Sequence, residues 1–234
     1  KICCNEMGLG ATSICSALLH DVVEDTEYTV KDIEKNFGSK IAYIVDSLTK
    51  ISGGIFGEQA SAQAEYFRKL LLTMTKDIRV ILIKMADRLH NMRTLGSMLP
   101  NKQYKIAGET IYLYAPLANR LGMDIIKTEL ENLSFNYEHP NIYAELSQKI
   151  ENTKAERNEL YKIFTAPIKE RLDKLDLTYR ICARTKSIFS IWDKMQKEEL
   201  PFEEINDILA IRIIFDTILS GTYSAVSNVE REKC

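Results

Sequence analysis

The sequence predicts a mainly α fold: a helical bundle, then a charged helical connector, then the opening of an α/β unit. Three observations carry this expectation. Apolar residues recur at helical spacing almost throughout residues 1–140. Residues 142–175 form a highly charged helical stretch. From Leu177 onward the character changes, with alternation over residues 178–183 and a β-branched apolar run over residues 208–215.

The elements follow in order. Thr29 reads as the N-cap of a helix over residues 30–37, with Gly38 as its C-cap. Ser39 opens a helix over residues 40–50, with Ile41, Ile44, Val45 and Leu48 at helical spacing. Gly53, Gly54 and Gly57 mark residues 51–60 as a mobile loop. Residues 63–75 are amphipathic through Ala64, Phe67, Leu70, Leu71 and Met74. Asp77 caps a buried helix carrying Asp87 to Arg93. Pro100 is expected to end that region, and a further helix spans residues 109–121, kinked or started by Pro116. The connector over residues 142–175 is expected to break near Pro167, and its mixed charges read as a solvated surface. Ser187 to Lys197 reads as a helix, Pro201 precedes a turn, and residues 208–215 read as a buried strand.

Composition narrows the class. The chain has 234 residues, 45% hydrophobic and 27% charged, as in ordinary globular proteins. A net charge of −2 gives no support for bulk binding to nucleic acid or to membrane surfaces. Cys3, Cys4, Cys15, Cys182 and Cys234 form no C-x-x-C pair and read as reduced thiols of a cytoplasmic protein. No apolar run approaches the roughly 20 residues of a membrane span. The chain opens at Lys1 directly into a motif-bearing helix, which reads as an internal piece of a longer protein.

The chemistry concentrates in two blocks. Leu18-Leu19-His20-Asp21-Val22-Val23-Glu24-Asp25 places four metal-competent or proton-handling groups together. On one helix, His20 and Glu24 would share a face, as would Asp21 and Asp25. These groups follow an apolar run, Ile14 to Leu19, that is expected to be buried, and burying ionisable groups is costly unless they are paired. The second block, Met85 to Thr94, sets Asp87 after the apolar residues 80–86. His20, Asp21 and Asp87 from two helices suit a hard or borderline divalent ion such as manganese. The remaining carboxylates can orient or deprotonate a bound water.

These residues resemble the bifunctional RelA/SpoT-type enzymes that make and destroy (p)ppGpp. The likeness runs through Gly8 to Ser13, His20 to Thr26, Ile83 to Thr94, Tyr114 to Gly122, Lys154 to Arg157 and Asp207 to Arg212. It implies an HD-type hydrolase bundle over residues 1–140, a connector over 141–176, and the start of a nucleotidyltransferase-like synthetase over 177–216. Residues 217–234 stay unassigned. It implies Mn2+ on His20, Asp21 and Asp87, with Glu24 and Asp25 handling the attacking water and Asn91 and Thr94 contacting substrate. The implied reaction removes the 3′-pyrophosphate of ppGpp or pppGpp, giving GDP or GTP.

For the second site, the resemblance assigns Arg184, Lys186 and Lys194 to the ATP phosphates and Asp207 to Mg2+. From the residues alone, 184–197 reads as a helix with a basic face. The implied role is in the stringent response of a bacterial cytoplasm. The implied ligands are guanine nucleotides and ATP, with no membrane or direct nucleic-acid contact, and with ribosome association only through regions outside the chain.

Two departures stand out. A further family histidine ligand and the basic substrate clamp lie upstream of the matched segments, which is expected to matter, and Asn119 stands where family members commonly have His, with a small expected effect. Arg88 and Arg93 are open to carboxylate pairing or to substrate binding. His90 reads as a packed or hydrogen-bonded histidine, and His139 as a surface residue. Two other readings stand beside the enzyme: a synthetase parent with a degenerate HD domain, and a non-catalytic nucleotide-binding regulatory module.

Overall fold

A computed structural model describes residues 1–52, 76–175 and 178–215. The expected tail at 217–234, the amphipathic segment at 63–75 and most of the glycine loop at 51–60 lie outside the described residues. The chain divides into two compact units, Lys1–Ser134 and Phe135–Cys234.

The first unit is helical: α1 (Ala11–Leu18), α2 (Val22–Asp25), α3 (Val30–Phe37), α4 (Ser39–Ser52), α5 (Ile78–Arg93), α6 (Pro100–Glu109), α7 (Ala115–Arg120) and the start of α8 (Asp124–Glu138). Its caps are local chemistry. The Thr29 hydroxyl accepts from the Asp32 N–H while Asp32 accepts from the Thr29 N–H, closing a capping box. Gly38 ends α3 at φ 88°, a conformation that a side chain resists. Asp77 caps α5 through the Arg79 N–H at 3.0 Å.

α5 is the central helix. Val80, Ile81, Ile83, Met85, Leu89 and Met92 are all buried, which covers most of its circumference. α1 and α4 pack against it. Ile33, Ala42 and Val45 form a satellite core that also holds Leu19, Val22 and Val23. This cluster anchors α2 beside the end of α1.

Several expectations change here. The apolar run Ile14–Leu19 is not a buried stripe: α1 buries Ser13 and Ser16, while Leu18 is 78% exposed. Small side chains let α1 approach its neighbours, and the Ser16 hydroxyl is satisfied by the Thr12 carbonyl at 2.8 Å. Pro100 starts a helix instead of ending one, because the first helical position needs no N–H donor. Pro116 likewise sits in the first turn of α7, directly after a π-helical turn at Thr110–Tyr114.

The second unit contains the rest of α8, then α9 (Pro140–Asn152), α10 (Lys154–Asp173), β1 (Tyr179–Thr185), α11 (Ile188–Glu198) and β2 (Leu209–Phe215). The strands pair antiparallel, from Tyr179 opposite Phe215 to Thr185 opposite Leu209. Phe135, Leu146, Ile191 and Phe202 form the core. The connector breaks at Thr153, not at Pro167, which lies inside α10. Pro167 frees the carbonyl of Ile163, a residue 60% exposed, so water can satisfy it. β2 is not buried: Ile213, Ile214 and Phe215 are exposed, since a two-stranded sheet leaves much of its surface uncovered among the described residues. His139 is half-buried rather than on the surface, its ring lying 5.6 Å from Phe135 and 5.5 Å from Trp192.

Candidate active site

The chain leaves α1 at Leu19 and re-enters a helix at Val22, so His20 and Asp21 occupy a break. The cause lies in His20 itself. Its Nδ1–H donates to the Ala17 carbonyl at 2.9 Å, the acceptor that a continuing helix would give to the Asp21 N–H. The expected face-sharing of His20 with Glu24, and of Asp21 with Asp25, is therefore lost. Val22 and Val23 turn into the satellite core, while Glu24 and Asp25 are exposed or nearly so. Their backbone N–H groups donate to the Asp21 carbonyl at 3.0 and 2.9 Å, but among the described residues neither side chain makes a hydrogen bond or ion pair with the His20, Asp21 or Asp87 side chains.

The break aims His20 at α5. Its Nε2 lies 2.9 Å from Asp21 Oδ2 and 3.7 Å from Asp87 Oδ1. The second distance is an ion pair rather than a hydrogen bond. Asp87 sits mid-helix, and its Oδ2 is 3.0 Å from Lys84 Nζ. Asn91, one turn on, donates from Nδ2 to Asp87 Oδ1 at 3.2 Å. Thr94 closes α5, its hydroxyl donating to the His90 carbonyl at 3.0 Å.

The electrostatics follow from these contacts. Burial alone would raise the Asp87 carboxyl, but His20 and Lys84 outweigh it and hold Asp87 well below the usual carboxylate range. Asp87, helped by Asp21, raises His20 above its ordinary value against the opposing effect of burial.

A divalent ion is compatible with this donor set. With Nδ1–H engaged by Ala17, a neutral His20 carries its lone pair on Nε2, and that nitrogen faces two carboxylates. Such a point calls for positive charge, and a second-nitrogen bond to a backbone carbonyl is how a ligating histidine is oriented. Among the described residues no three His, Cys, Asp or Glu side chains are already spaced as a coordination shell. His20 is the hub that brings the two aspartates together.

The nearby cations are structural. Arg88 pairs with Glu109 at 3.3 Å and lies 4.2 Å over the Tyr114 ring. Arg93 joins Glu6 at 2.7 Å and Glu129 at 2.6 Å. His90 is exposed, not packed, and Asn119 is exposed as well. The residue that the sequence reading missed is Lys84, only 9% exposed. Its signal was a lysine inside the apolar run of residues 80–86, one turn before Asp87.

In the second unit, Lys186 follows β1 and Asp207 precedes β2, so strand pairing brings them together. Lys186 Nζ and Lys194 Nζ, the latter from α11, each lie 2.9 Å from an Asp207 oxygen. The two ammonium groups hold the Asp207 carboxyl down at about 2. Arg184 is exposed on β1 and makes no ion pair among the described residues.

Comparison with known proteins decides the family. Residues 3–124 match the model of the HD domain.

The chain belongs to the HD domain family.

Residues 183–233 match a region found in RelA / SpoT proteins. The HD-domain chain is 46% identical, over 91% of its length, to a guanosine-3′,5′-bis(diphosphate) 3′-pyrophosphohydrolase of Vibrio cholerae. It is 44% identical, over 89%, to the bifunctional (p)ppGpp synthase/hydrolase SpoT of Escherichia coli K12. It is 44% identical, over 91%, to a GTP pyrophosphokinase of Myxococcus xanthus. It spans about 30% of the length of these relatives, from 28% to 30%. Among the described residues of this HD-domain chain, no helix is long and apolar enough to cross a membrane.

Proposed function

We propose that this chain forms the hydrolase centre of a bacterial, cytoplasmic (p)ppGpp 3′-pyrophosphohydrolase and the opening of its GTP pyrophosphokinase domain. One observation carries the hydrolase reading: His20 brings the carboxylates of Asp21 and half-buried Asp87 to one point, although they are far apart in sequence.

In this reading His20, Asp21 and Asp87 hold Mn2+. When bound, that ion lowers the pKa of a water toward neutrality and offsets charge on the pyrophosphate. The chain's own groups do the rest. Asp87 stays ionised, so it binds a cation without first losing a proton. Ala17 fixes the His20 ring so that Nε2 points at the centre. Glu24 and Asp25, on the short helix after the break, orient the attacking water and take its proton. Asn91 and Thr94, one and two turns beyond Asp87 on α5, contact the nucleotide. GDP or GTP and pyrophosphate leave.

The basic cluster of the second unit supports the kinase half. Lys186 and Lys194 are cations converging at a strand end, suited with Arg184 to the phosphates of ATP. Asp207 then serves Mg2+, with GDP or GTP accepting the pyrophosphoryl group.

The test is pyrophosphate release from ppGpp across a manganese titration, for the wild-type chain, His20→Ala and Asp87→Asn. Manganese-dependent release that both variants lose supports the reading. Release that survives either substitution, or that ignores manganese, overturns it.

A further inference from the structure

We infer that Lys84 is a positioning residue of the HD centre: its ammonium fixes the Asp87 carboxylate so that Oδ1 faces His20. The inference rests on the reading of His20, Asp21 and Asp87 as a metal centre.

A lysine in the middle of a core helix needs a reason. Lys84 lies between Ile83 and Met85, which are 2% and 1% exposed, and is itself 9% exposed. Burying an ammonium is costly unless it is paired and hydrogen-bonded. The partner is Asp87 Oδ2 at 3.0 Å, one helical turn away. The opposite oxygen is held from the other side, by Asn91 Nδ2 at 3.2 Å. Lys84, Asp87 and Asn91 follow one another at turn spacing along α5 and share one chain of polar contacts.

The two contacts oppose rotation of the carboxylate. With Oδ2 tied to Lys84, the oxygen presented toward His20 Nε2 is Oδ1. An apolar side chain at residue 84 would fill the space but leave the carboxylate free to turn. It would also leave the half-buried Asp87 without its nearest cation. Outer partners of this kind set the affinity of a metal ligand, and their loss typically costs about 10–100-fold.

The test measures Mn2+ affinity directly, from the electron paramagnetic resonance signal of free Mn2+, on the 234-residue chain without nucleotide. Wild type is compared with Lys84→Gln, Lys84→Arg and Asp87→Ala, each checked for an intact helical circular dichroism spectrum. Lys84→Gln removes the charge and shortens the reach, and is expected to weaken binding about tenfold or more. Lys84→Arg keeps a cationic donor and is expected to stay within about threefold of wild type. Asp87→Ala should abolish the site.

Wild-type affinity in Lys84→Gln, with binding lost in Asp87→Ala, overturns the role of Lys84 alone. Tighter binding in Lys84→Gln also overturns it, since the ammonium would then be repelling the ion. Unchanged binding in Asp87→Ala overturns the centre and the positioning role together. If Lys84→Gln does not fold, the Arg variant still decides, because tenfold weaker binding with the cation retained refutes the positioning role.

Discussion

Removing the Asp77 carboxylate should loosen the start of α5, the helix on which the candidate centre is built. Asp77 accepts from the Arg79 N–H at 3.0 Å and pairs with the Arg79 guanidinium at 2.7 Å. Loss of an N-cap costs about 1 kcal/mol. The ion pair adds about 0.5 kcal/mol, since the Arg79 side chain is 37% exposed and surface pairs are weak. Asp77→Ala should therefore lower unfolding free energy by about 1.5 kcal/mol, and Asp77→Asn, which keeps a capping oxygen, by about 0.5 kcal/mol. The pH dependence has a definite sign. Arg79 holds the Asp77 carboxyl below its ordinary value, so this stability is present above the unfolded-state pKa of about 3.9 and is lost as pH falls through the folded value. The gap between wild type and Asp77→Asn should narrow as pH drops below about 4. The assay is urea unfolding followed by circular dichroism, which is dominated by helix. The single tryptophan, Trp192, lies in the second unit and serves as an internal control. Equal losses for Ala and Asn, or a gap that widens at low pH, would refute the reasoning.

Other outcomes follow from the same geometry. Leu146→Ala empties a position only 2% exposed in the second core, and should lower the Trp192 fluorescence transition by about 2–4 kcal/mol. Arg93→Gln unties Glu6 and Glu129 together and should cost about 1–2 kcal/mol, a loss that shrinks in high salt, as salt-dependent melting would record. In the complete parent enzyme, Glu24→Gln and Asp25→Asn should abolish turnover of ppGpp, a loss in the rate constant, while leaving Mn2+ affinity near wild type. A variant that keeps its full rate would remove these residues from water handling. Asp207→Asn should free Lys186 and Lys194 from their carboxylate and tighten binding of ATP in the absence of magnesium, measurable by calorimetry.

What depends on near neighbours is readable from the chain alone. The Thr29 cap, the Gly38 stop, the Asp77 cap and the entry of Pro116 were legible because capping and backbone preference act within a few residues. The order of the HDVVED and MADRLHNMRT blocks was legible too, and with it the resemblance that the HD-domain match bears out. Which groups meet is a matter of packing between distant segments. His20 breaks its own helix by taking the Ala17 carbonyl, a contact that the apolar run before it does not announce. Ser13 and Ser16, not Leu18, face inward because the neighbouring helices determine which face of α1 is covered. His139 stacks on Trp192 and Lys84 locks Asp87 for the same physical reason: burial and charge pairing are settled by packing. Periodicity gives the faces of a helix, but the partners of those faces come from segments far away in the chain.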